Sequence, residues 1–385
     1  AQIKGGVLDM IGAARPSIAD PFLPNKIAEG RIEDIRECIG CNVCVSGDFT
    51  VTPIRCTQNP TMGEEYRRGW HPERIAAAAS DAGCLVVGGG PAGLEAALAL
   101  AQRGYRVTLA DDAPALGGRI NLESALPGLA SYARVRDYRL GQLRRMANVS
   151  LYPASKLSAK DIVEFGARHV ALATGSHWRR DGLGRQHWKP IPGIARANVY
   201  TPDDLMRSRV PEGRVVLYDD DHYYLGGVLA ELLANRGCDV TLVTPAPDVS
   251  HWTHNTLEQA RIEKRVRSLE IEVVNQHALQ RLEADSVTLG CIYTDTPREL
   301  AATAVVLVTS RAPETALYEA LNQDAAALAR AGIDTLTRIG DCLAPGTVAA
   351  AVYAGHRYAR ELEDTSLDPD GSPFRREYAE LPPLA

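Results

Sequence analysis

Four cysteines within the first sixty residues restrict this chain more than any other feature. Cys38, Cys41 and Cys44 stand in Cys-Ile-Gly-Cys-Asn-Val-Cys, and Cys56 follows in Arg-Cys-Thr-Gln-Asn. Three sulfurs separated by two-residue gaps converge from one tight loop, and the fourth must come from a separate segment. Gly40 and Asn42 permit the sharp backbone turns between them. Four thiolates in that spacing suit a cubane 4Fe–4S cluster, where each sulfur takes one iron corner. Structural zinc is the rival reading, although zinc sites usually pair their ligands two and two. Disulfides fit least, because close Cys-x-x-Cys spacing in a large enzyme-like chain argues for ligation or redox work.

With 385 residues the chain should hold two to three domains with ample core. A hydrophobic share of 45% and a charged share of 23% are ordinary for a globular protein. The net charge of −6, with no basic run interleaved with aromatics, argues against a nucleic-acid partner. No apolar run reaches the roughly eighteen residues of a membrane span. Cys84, Cys238, Cys291 and Cys342 are scattered and read as buried thiols, which fits a reducing cytoplasm. The chain starts at Ala1 with no secretory hydrophobic region, and Gly6–Gly12 already reads as an interior strand. A segment upstream is therefore expected to be missing, whether by truncation, by proteolysis or as a separate subunit.

Cys84–Val87 is short and apolar, as a buried parallel strand is. Gly88, Gly90 and Gly93 follow in G-x-G-x-x-G spacing. The first glycine makes the turn, the second admits a pyrophosphate, and the third lets the helix pack on the strand. Pro91 and Ala92 open a helix that runs to about Arg103, with free N–H groups at its start for phosphate. Arg106–Ala110 returns as a second strand, and Asp111 ends it where a carboxylate can accept the hydroxyls of an adenosine ribose. Val170–Thr174 with Gly175 reads as a strand and tight turn at a domain crossover. Thr337–Asp341, with Gly340 before the acid, reads as a strand leading to a helix from about Thr347, whose N-terminus would face a flavin.

Ala101-Gln-Arg-Gly-Tyr-Arg-Val-Thr-Leu109 recurs as Ala234-Asn-Arg-Gly-Cys-Asp-Val-Thr-Leu242. Val215–Tyr218 supplies the matching first strand. The expected layout is α/β: residues 1–80 hold the cysteine loop, 81–210 with 311–385 form a FAD- or ADP-binding unit, and 211–310 form an inserted NAD(P)-type unit. In that second unit Asp219–Asp221 and His222–Tyr224 stand where the first loop has glycines. Three carboxylates near a phosphate repel it, by on the order of 1 kcal/mol each at about 4 Å even in water. The unit is expected to keep its shape and lose its nicotinamide site; the alternative is an unusual loop that still binds NAD(P)H.

Taken together, these residues resemble the trimethylamine and dimethylamine dehydrogenase family, and they are similar in domain order to 2,4-dienoyl-CoA reductase. The most specific matches are Gly12–Pro21, the Cys38–Cys56 loop, Glu64–Pro72 and Ala125–Leu129. The resemblance implies that Cys38, Cys41, Cys44 and Cys56 hold 4Fe–4S. It implies that Gly88, Gly90, Gly93 and Asp111, with Gly118 and Arg119 in the next turn, hold ADP or FAD. It also implies that residues 1–30 are the last strand and helix of a TIM barrel, with Ala14 and Arg15 at the phosphate of its FMN. The Gly340-Asp341-Cys342 segment leans to FAD, whereas the degenerate loop at 219–224 leans to the amine dehydrogenases. Those pass electrons to an electron-transferring flavoprotein instead of using NAD(P)H, and they tend to be homo-oligomers. The implied function is the electron-transfer part of an FMN-dependent amine or N-methyl-amino-acid dehydrogenase acting on a small methylated amine. The alternative is an NAD(P)H-dependent enoate reductase, and a third reading is an electron-carrying module whose partner holds all the chemistry. The resemblance implies that the catalytic acid–base residues belong to the missing part of the barrel, so this chain is not expected to oxidise an amine by itself.

Other residues invite less specific roles. His71, His251 and His254 have no partner visible in sequence and read as structural or solvent-facing. Tyr132 and Tyr138 lie in an arginine-dense helical stretch, where the resemblance implies a tyrosine that docks the acceptor and a plain helix surface is the alternative. Glu37, beside the first ligand, either tunes the cluster or is solvated. The Pro- and charge-rich tail after about Leu367 is expected to be loosely attached.

Overall fold

The computed structural model describes residues 2–195 and 198–364. Its strands run in chain order as β1 (Gly83–Val87), β2 (Arg106–Ala110), β3 (Val149–Tyr152), β4 (His169–Leu172) and β5 (Ser176–Trp178). There follow β6 (Val199–Tyr200), β7 (Arg214–Asp219), β8 (Asp239–Val243), β9 (Glu272–Val274) and β10 (His277–Leu282). The last are β11 (Ser286–Cys291), β12 (Pro297–Ala301), β13 (Ala304–Val308), β14 (Arg311–Pro313) and β15 (Thr335–Arg338).

Two parallel sheets carry the fold. The first has the order β15-β4-β1-β2-β3 and the second β6-β13-β7-β8-β9. An antiparallel sheet, β10-β11-β12, packs over the second unit, and β5 pairs with β14 between the two. The sequence dictates the parallel arrangement: β4 and β13 are buried at every position and, after His169, read as apolar runs, as strands covered on both faces do. The edge strand β6 precedes residue 211 and belongs with the second sheet.

The helix Pro91–Arg103 crosses from β1 to β2, and the final helix, Val348–Glu361, lies against it. Gly355 makes that approach possible, because a Cβ there would sit 2.1 Å from the Ala92 carbonyl oxygen. Val86, Leu94, Leu98, Leu109 and Val107 fill the core beneath the first sheet. Leu217, Leu229, Leu242 and Val306 fill the corresponding space beneath the second.

The N-terminal region differs from expectation. Gly6–Gly12 is turn and coil, not strand, closed by local bonds such as Val7 N–H to the Gln2 carbonyl. A strand needs a neighbour for its amides and carbonyls, and none pairs with this segment among the described residues, so Val7 and Met10 are exposed. Two short helices follow, Ala14–Ala19 and Leu23–Ala28. The second delivers Lys26, which is buried and bound by Asp20 at 2.8 Å and Glu73 at 2.9 Å.

The polar and aromatic segment 63–74 is partly an internal clamp. Glu64 is buried and takes Arg55, Arg67 and Arg68, and Trp70 packs between Tyr353 and His356 of the final helix. Its polar sequence hid this, because the arginines neutralise the buried acid. Cys84 and Cys342 are buried as expected, whereas Cys238 and Cys291 are half-buried; all four are unbridged. No helix among the described residues is long and apolar enough to cross a membrane. The tail expected to be loose lies outside the described residues.

Candidate functional site

The cysteine loop is built by two left-handed residues. Gly40 has φ +74° and Asn42 φ +52°, so the chain reverses between successive cysteines before the helix Val43–Thr50 begins. The Gly40 N–H points at Cys38 Sγ (3.4 Å), and the Thr57 hydroxyl lies 3.2 Å from Cys41 Sγ. Burial pushes the Cys41 thiol up to about 11, and the charges of Cys56 and Cys44 push the same way. Burial also raises Cys44 and Cys56, with further repulsion from Cys38 on both and from Cys44 on Cys56, while the Asn59 and Gln58 amides favour the Cys56 thiolate. The four sulfurs thus feel one another, and a central cation would reverse that repulsion. Yet among the described residues no three cysteine sulfurs lie within 4.8 Å of each other. Tetrahedral zinc, with Zn–S near 2.3 Å, would hold them only about 3.8 Å apart.

Charged neighbours fix this loop. Arg134 donates to the Cys38 carbonyl at 3.0 Å and pairs with the exposed Glu37 at 3.1 Å. Ala14 and Arg15 begin a short exposed helix, and the Arg15 guanidinium donates to Asn42 Oδ1, between two of the cysteines. Arg139 is fully buried and was not singled out in sequence. It binds Gln58 and, at 2.7 Å, Glu95 of the nucleotide helix; His356 meets the other Glu95 oxygen at 2.8 Å. Its position four residues from both Val135 and Leu143 places it on the apolar face of its helix, and that spacing was the available signal.

The nucleotide cleft uses its glycines as their spacing predicts. A Cβ on Gly88 would lie 2.2 Å from the Ala173 carbonyl oxygen, and one on Gly93 would lie 1.8 Å from that of Gly88. Gly90 faces open space. Gly118, at φ +54°, crosses just beyond Gly90. Asp111 accepts the Gly89 N–H with one carboxylate oxygen and that of Ala113, at 2.8 Å, with the other, so it shapes the loop as well as facing the cleft. Thr174 donates to the Glu314 carbonyl at 2.7 Å, next to the left-handed Gly175. Gly340 touches Ala92.

Two expected ligands are held by other protein groups. Arg119 is tied to Asp203 at 2.8 Å and to the Ser176 carbonyl at 2.7 Å. Asp341 accepts from the Ser176 hydroxyl at 2.9 Å, from the Gly346 N–H at 3.1 Å and from Arg311. Gly88, Gly90, Pro91, Ala92, Asp111, Gly118, Arg119, Thr174, Gly175 and Asp341 all line one cavity of about 1370 Å³, with Gly93 and Gly340 behind its wall.

In the second unit the equivalent loop is filled by its own side chain. A Cβ on Gly226 would lie 2.4 Å from the Asp219 carboxyl carbon, just as Gly93 abuts Gly88 in the first unit. Gly226 therefore keeps the helix-packing role, and Asp219 takes the space at the start of the helix Tyr224–Asn235. Its Oδ1 accepts the His222 N–H at 3.0 Å, and its Oδ2 has no partner among the described residues. Burial, with the charges of Asp221 and Asp220, pushes this carboxyl up to about 8; burial likewise takes Asp220 to about 6.

Beside the loop stands a chain of edge-on aromatic contacts that the sequence did not reveal. Trp252 meets Tyr223 at 4.9 Å, Tyr223 meets Tyr224 at 4.4 Å, and Tyr224 meets Tyr132 at 5.6 Å between ring centres. Tyr224 donates to Glu123 at 2.9 Å. Tyr132 is buried in this aromatic cluster, so it presents no ring for docking, and Tyr138 is only partly exposed.

Comparison with known proteins agrees with this architecture. A family model described as pyridine nucleotide-disulphide oxidoreductase matches residues 83–355. Dimethylamine dehydrogenase from Hyphomicrobium sp. (strain x) is 40% identical over 97% of this chain and 54% of its own length. The solved structure of histamine dehydrogenase from Rhizobium sp. 4-9 matches with a TM-score of 0.97 and 52% identity, over 99% of this chain and 59% of that one. The solved structure of 6-hydroxypseudooxynicotine amine oxidase from Pseudomonas geniculata N1 matches with a TM-score of 0.90 and 49% identity, over 94% of this chain and 54% of that one. The chain thus spans little more than half the length of these relatives. By name they are amine dehydrogenases or oxidases, the branch of the resemblance favoured over the enoate reductases. With its paired Rossmann-like units, the chain belongs to the pyridine nucleotide-disulphide oxidoreductase family.

Proposed function

We propose that this chain is the electron-transfer portion of an iron–sulfur amine dehydrogenase, with a 4Fe–4S cluster on Cys38, Cys41, Cys44 and Cys56. The observation that carries the reading is the cysteine loop: three thiols stand in one tight turn, a fourth comes from a second segment, and the four lie within electrostatic reach of one another. When bound, such a cluster moves electrons one at a time and so links a two-electron donor to a one-electron acceptor. The chain's own groups hold and tune it: the Gly40, Gln58 and Asn59 amides and the Thr57 hydroxyl direct hydrogen bonds at three of the sulfurs.

An adenine dinucleotide or ADP fits the cleft. The helix at Pro91 offers its first amides to a pyrophosphate beside the open face of Gly90, and Asp111 and Thr174 offer oxygens to the sugar and linker. The cavity volume favours full FAD, whereas the Arg311–Asp341 ion pair spanning its far end favours ADP. Extraction and identification of the bound nucleotide separates the two. FMN would belong to a TIM barrel whose last strand and helix residues 1–30 resemble, with Ala14 and Arg15 at the phosphate. In that reading a small amine is oxidised on the barrel, and electrons leave to an electron-transferring flavoprotein.

The plugged second loop opposes the NAD(P)H-dependent alternative. Asp219 fills the second loop from within, against Gly226, where the first unit has only Gly88, and Asp220 and Asp221 crowd the same turn, so the loop has lost the glycine cradle that a pyrophosphate needs. The test is anaerobic titration of the purified protein. The amine dehydrogenase reading expects no absorbance change with NADH or NADPH and bleaching with dithionite. Rapid bleaching by either nicotinamide would overturn it.

A further inference from the structure

We propose that Asp248, His251 and His254 form a binding site for a divalent transition-metal ion of the zinc or copper class. One carboxylate faces two imidazoles: Asp248 Oδ1 is 2.7 Å from His251 Nδ1, and Oδ2 is 2.7 Å from His254 Nε2. The three ligand atoms lie within 4.8 Å of one another, and the imidazole rings meet edge-on at 5.1 Å. Hydrogen bonding to one carboxylate would need only one of these histidines. Two imidazole nitrogens and a carboxylate oxygen make a donor set that suits zinc or copper better than calcium or magnesium, which prefer oxygen. Three protein ligands leave a coordination position open for water or an external group.

The backbone holds this arrangement in place. Ser250 takes a left-handed turn at φ +52°, and the short helix His251–His254 follows. Thr253 is buried and bonds the Ser250 carbonyl through its N–H (2.8 Å) and its hydroxyl (2.7 Å), while the Trp252 N–H reaches the His222 carbonyl at 2.8 Å. The two imidazoles are each about half exposed, at 47% and 53%, so an ion can enter from water. Each must release the proton it points at Asp248. Trp252 sits between the two histidines and meets Tyr223 edge-on, and Tyr223 lines the nucleotide cleft. An ion at this turn is thereby joined to the wall of that cleft. None of the three ligands is a cysteine, although the same turn meets the cysteine loop where Asn42 donates to the Thr256 carbonyl at 3.0 Å; the assignment does not depend on what the cysteines bind.

Isothermal titration of the purified, iron-loaded protein with Zn²⁺ tests the assignment. One saturable equivalent per chain is expected, weakened at least about tenfold by His251→Ala, His254→Ala or Asp248→Asn and lost in the double histidine variant. The substituted side chains are partly exposed, so the fold should survive. Absence of saturable binding, or binding that persists in the double variant, would overturn the proposal; the second outcome would point to zinc held by the cysteines.

Discussion

Arg139 grips Gln58 twice, with Nη1 at 2.9 Å from the side-chain oxygen and Nη2 at 3.2 Å from the main-chain oxygen. Gln58 is two residues past Cys56, and the same guanidinium pairs with Glu95 on the nucleotide helix. One buried arginine therefore locks the cysteine loop to the dinucleotide unit. Burial alone would raise the Glu95 carboxyl, but Arg139 and His356 hold it below its ordinary value.

Arg139→Leu should strand Glu95 and both Gln58 oxygens in the core. The expected loss is about 3–5 kcal/mol of stability, as when one partner leaves a buried pair. Arg139→Lys, which keeps the charge but not the fork, should lose less. Denaturant titration of the three proteins reads this directly. Equal stability of the leucine variant and the wild type would show that the network is not holding the two parts together.

The cysteines divide into two classes. Cys56→Ser should lower bound iron to well under half of wild type, because a serine oxygen is a poor substitute for a cluster thiolate. Cys84→Ser should leave it unchanged, since Cys84 is buried in β1, among core residues remote in sequence from the loop. Iron analysis by colorimetry on both variants makes the comparison. Equal iron in the two would remove Cys56 from the ligand set.

Gly90 and Gly93 should fail differently. Gly93→Ala puts a methyl 1.8 Å from the Gly88 oxygen, so it should cost about 3 kcal/mol or more of stability. Gly90 has φ −74° and open space around it, so Gly90→Ala should fold within about 1 kcal/mol of wild type. Its methyl would nonetheless stand in the approach to the cleft, and bound adenine nucleotide should fall at least about tenfold, or about 1.4 kcal/mol. Melting temperature and acid-released nucleotide, measured on the same samples, separate folding from binding.

Asp219 supplies a pH signature. Its folded-state carboxyl titrates near 8, well above the ordinary value of 3.8. The folded protein therefore holds a proton that the unfolded chain releases at lower pH, and its contribution to stability is full below about pH 4 and lost as pH rises through 8. Asp219→Asn cannot ionise. Relative to wild type, the variant should gain melting temperature between pH 5 and pH 9, by roughly 3 °C or more. A difference that stays flat across that range would place the Asp219 proton elsewhere.

Much of this was legible in the sequence, for physical reasons that can be named. β1, the helix Pro91–Arg103 and β2 followed from a buried apolar run, a proline at the helix start and a glycine at its end. The repeat at 234–242 exposed the second Rossmann-like unit, because Thr241 and Leu242 sit in a strand equivalent to β2. Local pattern could not show what Arg139 does, because a buried arginine looks like a surface one until Gln58 and Glu95 arrive from distant segments. The edge-on cluster of Trp252, Tyr223, Tyr224 and Tyr132 was hidden for the same reason: its members come from three separate stretches of chain. Gly6–Gly12 failed in the opposite way. Its residues are strand-like, but a strand is made by its neighbour, and among the described residues none is there.

Metal and sulfide analysis of the anaerobically purified protein, on a per-chain basis, bears most directly on the central idea. The cubane reading requires about four iron and four acid-labile sulfide atoms per chain. Stoichiometric zinc that survives removal of His251 and His254, with neither iron nor sulfide present, would contradict it.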